Sequence, residues 1–329
     1  MIRNNSSELS KSYYGLLTTL PEQLLFQKPV MRASVAKKYS VLKNSSVNTD
    51  LELRIHFDDS ELTESSFSDN PKQWWNLTAL KLWDLIIIGF TNSRTADQTI
   101  RLSKAGIYTL FGWQAGDLLK DAKPGPKLTQ LNNQRIVKTA DSKLQSACRF
   151  WINTSFVFTE KNTRGKFVQR ELYPIEDIRI ENNRFIAVKM NPKFYKRISR
   201  QPITQIPNAI FSLNANCGTA YILGKKMSEH YYQQRNQKIK THNTLCVDVL
   251  CRNTPLDTID ASSMHGWRSR KTSPVIKFTN ALSLLSDAHV IASWNYKADT
   301  DWTDFSDWKR SYIHYRMPYS CTISKTEEA

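Results

Sequence analysis

His265-Gly266-Trp267-Arg268 is followed by His289 and Tyr296, so a His-x-x-Arg pair precedes a second histidine and a tyrosine. Arginine and imidazole groups can hold phosphate oxygens while a phenolate attacks phosphorus, which is strand-cleaving phosphoryl transfer. The same stretch carries a non-covalent chemistry. Arg268, Arg270 and Lys271 offer cations to phosphates, and Ser273, Lys277 and Asn280 offer short polar groups to base edges. A second group of cations, Lys161, Arg164 and Lys166, lies around Gly165 between two β-like runs.

Elements must position these groups. Ser273 is placed to cap a helix, its hydroxyl accepting from an orphan backbone N–H, with Pro274 following where a missing N–H costs nothing. Val275, Phe278, Leu282 and Leu285 then share a helix face, with Ile276 and Ala281 alongside, so Lys277, Thr279, Asn280 and Ser283 point outward. Val290, Ala292, Trp294 and Tyr296 alternate with Ile291, Ser293 and Asn295, a period-two pattern that suits a wing strand. Phosphoryl transfer fits this frame poorly. The intervals of 21 and 7 residues after Arg268 are short, and Tyr296 falls in the strand.

The order of elements repeats. Residues 1–70 are Ser- and Asn-rich and read as a loosely ordered leader, with one extended segment at Leu51 to Phe57. Over 71–203 a helix begins near Thr78, a short one covers Lys104 to Phe111, and a long one runs from about Asn133 to Asn153. Phe156 to Phe158 and Phe167 to Tyr173 then flank the turn with the three cations, and Arg179-Ile180 and Phe185 to Val188 flank a second turn at Asn182-Asn183. Over 208–298 the cycle recurs: a helix marked by Ala220, Leu223, Met227 and Tyr231, a short helix at Thr244 to Leu250, the Ser273 helix, and the Val290 strand. Residues 299–329 read as an acidic, aromatic tail. The class expected is α+β, with two tandem domains of three helices and a β-hairpin.

Charge indicates the partner. The formal net charge of +16 arises between residues 120 and 280, where 28 Lys and Arg face 11 Asp and Glu. A positive field concentrated in this way suits a polyanion, because neutralised phosphates release their counterions. The longest strongly apolar run, Leu85 to Phe90, is too short to span a bilayer, and no apolar signal segment follows Met1, so an intracellular protein is expected. Five cysteines lack any C-x-x-C pair, Gly-x-x-x-x-Gly-Lys-Ser/Thr does not occur, and the Asp299, Asp301, Asp304, Asp307 series lacks a calcium loop's glycine and terminal glutamate. No cofactor, metal or catalytic residue is therefore assigned.

Four runs carry a family likeness: LTALKLWDLIIIGF, KLQSACRFWINTSFVF, GTAYILGKKMSEHYYQQRN and WRSRKTSPVIKFTNALSLLSDAHVIASWNY. From Leu77 to Tyr296 the chain resembles the iteron-binding replication initiator proteins of plasmids, which are built from two winged-helix domains. The resemblance implies binding to direct repeats of double-stranded DNA at an origin, opening of adjacent DNA, recruitment of a host initiator or helicase, and autorepression as a homodimer, all in the bacterial cytoplasm without bond-making chemistry. It makes the first domain the site of dimerisation and backbone contact, and the second the reader of sequence. Ser273, Lys277 and Asn280 would then face bases, Arg268, Arg270 and Lys271 phosphates, and Lys161, Arg164 and Lys166 would form the first wing. A winged-helix transcriptional regulator fits the same residues. The His265 to Tyr296 series is loosely similar to tyrosine recombinases, but lacks the residues usual around their histidine.

Overall fold

The computed structural model describes residues 9–14, 16–25, 30–33, 38–42, 52–56, 76–93, 99–113, 126–161, 163–214, 216–236, 243–257, 273–297 and 302–318. They form a mixed α+β molecule with small antiparallel sheets, the class the sequence indicates. The first stretch is not a separate leader. It supplies β1 (Leu9–Tyr13), α1 (Leu16–Gln23), β2 (Val30–Ala33), β3 (Lys38–Leu42) and β4 (Glu52–His56), all built into sheets or packed on the core.

Helix α2 (Leu77–Asn92) is the centre of the first unit. Asn76 caps it, its side-chain oxygen accepting from the N–H groups of Thr78 and Ala79. Thirteen of its 16 residues are buried, because β1, α1, β5 (Thr99–Ser103) and α4 (Pro126–Ile152) surround it. Trp83 stacks on Trp151 of α4 at 4.4 Å between ring centroids, and each indole N–H finds a carbonyl, Thr18 and Ala79 respectively. Gly89 allows β5 its approach: a Cβ there would lie 2.6 Å from Ile100 Cδ1.

After β5 come α3 (Lys104–Leu110), α4, and two hairpins, β6 (Thr154–Lys161) with β7 (Phe167–Leu172) and β8 (Ile175–Glu181) with β9 (Phe185–Met190). The second turns through Asn182, Asn183 and Arg184, the two asparagines left-handed at φ 48° and 53°, a region that asparagine enters more readily than most residues. The hairpins join different sheets. β6–β7 extends a five-stranded sheet of order β2-β3-β4-β6-β7, whereas β8–β9 forms a three-stranded sheet of order β5-β9-β8.

α5 (Pro192–Ile198) and β10 (Ile203–Pro207) lead into a 3-10 turn at Asn208–Ser212 and then the second unit. β10 pairs with β1 in full register, from Leu9↔Pro207 to Tyr13↔Ile203. The second unit runs α6 (Gly218–Asn236), β11 (Thr244–Cys246), α7 (Val247–Cys251), α8 (Pro274–Asp287), β12 (Ser293–Tyr296), α9 (Phe305–Arg310) and β13 (Tyr312–Arg316). Its sheet order is β11-β13-β12. Two sequence expectations change here. The stretch after residue 299 is not wholly a tail, since β13 is the central strand and Trp308 of α9 is fully buried. Thr244 to Cys246 is a strand rather than the start of a helix, because Leu245 pairs with Ile313.

Both units therefore share one core arrangement: helix, strand, short helix, helix and a strand pair that closes a three-stranded sheet with the last strand central; β6–β7 precedes that pair in the first unit, and α9 separates its two strands in the second. They also share a contiguous apolar core. Across their junction Lys225 of α6 lies between Glu22 of α1 at 2.8 Å and Asp84 of α2 at 2.9 Å, and the Tyr221 hydroxyl donates to Asp84 at 2.7 Å. Burial opposes the Lys225 charge, but Asp84, Glu22 and Glu229 outweigh it and hold the ammonium above its ordinary range. Burial and then the Glu22 charge push the Glu229 carboxyl well up. Lys81 of α2 donates to the carbonyls of Phe211 and Leu213 at the end of the 3-10 turn, and burial lowers it to about 7.

Candidate nucleic-acid interface

Helix α8 forms where capping and periodicity place it. Ser273 takes the N-cap position and Pro274 the first turn, while Phe278, Ala281, Leu282 and Leu285 are buried. This face packs on α6 at Gly224, where a Cβ would lie 2.7 Å from Leu285 Cδ2 and 3.2 Å from both Ile210 Cδ1 and Val290 Cγ1. The helix ends at His289, left-handed at φ 56°, with the Val290 N–H returning to the Leu285 carbonyl at 2.9 Å.

The opposite stripe of α8 is open. Lys277, Asn280 and Leu284 recur along it and are exposed, so the two polar groups assigned to base edges share one solvent-facing row. Ser273 does not join them. Its side chain makes no capping bond to the helix and is only 2% exposed, because the α8 N-terminus packs into the molecule. A buried hydroxyl cannot reach a base in this conformation, which corrects its expected role. Arg268, Arg270 and Lys271, together with His265, lie outside the described residues.

The first cationic group also sits differently from expectation. Lys161 ends β6, and Arg164 and Lys166 are exposed on either side of Gly165, whose φ of 73° suits only glycine readily. Their hairpin belongs to the five-stranded sheet, so the strand pair equivalent to β12–β13 is β8–β9 instead. Local sequence makes the two hairpins look alike; only their sheet partners tell them apart. The sequence pattern also passes over Arg149 of α4 and Arg179 of β8, which face a cleft of about 370 Å³ floored by Cys148, Ile178 and Ile180. Arg149 lies in a helix read for its buried face, and Arg179 in a hairpin read for its turn. Arg179 is held 3.5 Å from both Asp177 and Glu181.

Two arrangements resemble parts of catalytic sites, and in each the described side chains are engaged in packing or in contacts between strands. Burial raises the Tyr296 phenol, and the Trp308 indole N–H donates to its oxygen at 3.1 Å, so the group is packed and protonated, unlike an activated nucleophile. On the five-stranded sheet Ser155, His56 and Glu171 meet, a trio the sequence hides because three strands supply it. Ser155 Oγ and Glu171 Oε1 both contact the same imidazole nitrogen, His56 Nε2, at 2.9 and 2.8 Å. The Ser155 hydroxyl donates to Glu171 at 2.6 Å. A serine nucleophile needs the carboxylate on the far ring nitrogen, so this trio ties strands together. His56, followed by Ser155 and Arg54, outweighs burial and holds Glu171 down at about 2.

Among the described residues no group of three or more His, Cys, Asp or Glu is placed to hold a metal ion, and no helix is long and apolar enough to cross a membrane. Comparison with protein-family models and with curated proteins returned no match.

Proposed function

We propose that this chain binds duplex DNA sequence-specifically, as a replication initiator of the plasmid iteron-binding kind, through two winged-helix units. The observation that carries the reading is the arrangement common to both units, helix, strand, short helix, helix and a strand pair that closes a three-stranded sheet with its last strand central, to which the first unit adds β6–β7 and the second α9. In a winged helix the third helix enters the major groove and the hairpin after it follows the backbone. In the second unit that helix is α8, whose outer row presents Lys277 to guanine-type acceptors and Asn280 to adenine. The positive charge between residues 120 and 280 supplies the backbone attraction. Arg149 and Arg179 sit at the corresponding helix and strand of the first unit.

The test begins with duplexes selected from a random library and fluorescence anisotropy at several salt concentrations. Lys277→Ala should weaken the selected duplex roughly 5- to 150-fold while leaving a scrambled duplex nearly unchanged. Arg270→Ala should weaken both and flatten the salt dependence. Equal losses on selected and scrambled DNA for Lys277→Ala would remove α8 as the reader. Supplied in trans, the chain should sustain a plasmid that carries only the cognate origin; binding without replication would leave a transcriptional regulator.

A further inference from the structure

The sheet β11-β13-β12 has two unlike faces. Leu245, Ile313, Tyr315 and Tyr296 turn inward, while the register brings Thr244, His314 and Asn295 into one outward row, with Tyr312 and Arg316 on either side of it along β13. Tyr312 is 51% exposed, and His314 and Arg316 are exposed as well. These three alternate along the central strand, about 7 Å apart. Lys297 joins the same face, its ammonium 6.0 Å from the Tyr312 ring centroid and its backbone N–H bonded to the Tyr312 carbonyl. The outward positions of the three strands hold no carboxylate.

We propose that this face binds single-stranded nucleic acid, with bases stacked on Tyr312 and His314 and the backbone held by Arg316 and Lys297. An ordinary solvated sheet face mixes charges of both signs and exposes few large rings. This one offers an exposed ring, an imidazole and two flexible cations on a flat support, the combination that stacks bases without reading sequence. Amide and hydroxyl groups from Asn295 and Thr244 flank the row and can meet base edges. The site is separate from the outer row of α8 but lies on the strand pair that the duplex reading lays along the backbone, and single-strand binding is measured apart from that reading. One surface would grip an intact helix and the other a released strand.

The experiment measures anisotropy of labelled oligo(dT) and oligo(rU) with the full chain, at a salt concentration high enough to suppress non-specific attraction. Tyr312→Ala should weaken binding roughly 5- to 100-fold, Tyr312→Phe should bind as the wild type does, and on the selected duplex, which offers no unstacked base to the ring, Tyr312→Ala should lose less than it does on the single strand. Arg316→Ala should weaken binding and lower its salt dependence. The tighter of the two oligonucleotides names the source as DNA or RNA. Photo-cross-linking of a 5-iodouracil oligonucleotide to the wild-type chain should map to residues 312–316, a readout that needs no variant to fold. No single-strand binding, equal binding by Tyr312→Ala, or cross-links confined to other segments would each overturn the proposal. Loss of duplex binding alone would leave it standing.

Discussion

Replacing Lys225 with methionine should destabilise the protein far more than removal of an ordinary lysine. The ammonium lies 2.8 Å from Glu22 and 2.9 Å from Asp84, and all three side chains are at most 6% exposed. Methionine fills much the same volume but leaves two carboxylates facing each other in a low-dielectric junction, with Glu229 close by. Breaking a buried pair in this way costs about 3–5 kcal/mol, against less than about 1 kcal/mol for an exposed pair. Total stability of about 5–15 kcal/mol leaves the variant folded but much weakened. Urea titration followed by circular dichroism should show a lower midpoint with an unchanged slope. The sign with pH follows from the stranded acids. Their folded values would lie above the unfolded ones, so their stabilising contribution is complete in acid and disappears as pH rises. The variant's deficit should therefore be larger at pH 8 than at pH 4. Adding Glu22→Gln and Asp84→Asn should recover most of the loss, because a fully neutral cluster strands no charge. A deficit below about 1 kcal/mol for Lys225→Met, or no recovery in the triple variant, would refute the reasoning.

Two further perturbations test the packing and the sheet. Gly224→Ala adds a Cβ 2.7 Å from Leu285 Cδ2, with two more side-chain atoms at 3.2 Å; overpacking of about 1–3 kcal/mol should outweigh the roughly 1 kcal/mol of better helix propensity. A variant more stable in urea than the wild type would show that α6 and α8 can separate freely. Glu171 is held at about 2 in the fold, below its ordinary 4.5, so its contribution is present above pH 4.5 and lost as pH falls towards 2. Glu171→Gln should flatten the acid limb of a stability–pH curve within that window, and an unchanged limb would mean that the His56 contact carries no net stability.

Local pattern made some elements readable and left others hidden. The apolar run of α2, the Asn182-Asn183 turn and the Ser273-Pro274 start of α8 each carry their cause within a few residues. β1 and β13 do not. Leu9–Tyr13 becomes a strand because β10 meets it almost 200 residues later, and Tyr312–Arg316 because β11 and β12 flank it. The acidic aspartates before β13 masked that segment's alternation, which shows as buried Ile313 and Tyr315 between exposed neighbours. The candidate interface divides in the same way. Periodicity placed Lys277 and Asn280 outward, as the helix has them, but nothing in the sequence revealed that Ser273 would be sealed by packing. Nor did it show that the hairpin carrying Arg164 and Lys166 would leave the three-stranded sheet to β8–β9. Periodicity reports which way a side chain faces along its own element; it carries no information about which distant element will cover it.

The pairing of β1 with β10 also imposes an order of assembly. Ser10 Oγ donates to Asn208 Oδ1 at 2.6 Å across a separation of 198 residues, and Leu9 stands opposite Pro207. During synthesis, residues 9–13 emerge early and must wait until roughly 200 more have left the ribosome before their partner strand exists. Domains otherwise mature from the N-terminus as the chain appears. In this chain the first unit can condense around α2 early but can close only when the link to the second unit arrives. Closure so long delayed is slow by topology. Translation that stops before residue 203 should leave a collapsed core with an unpaired N-terminal edge, the kind of species that chaperones and proteases recognise.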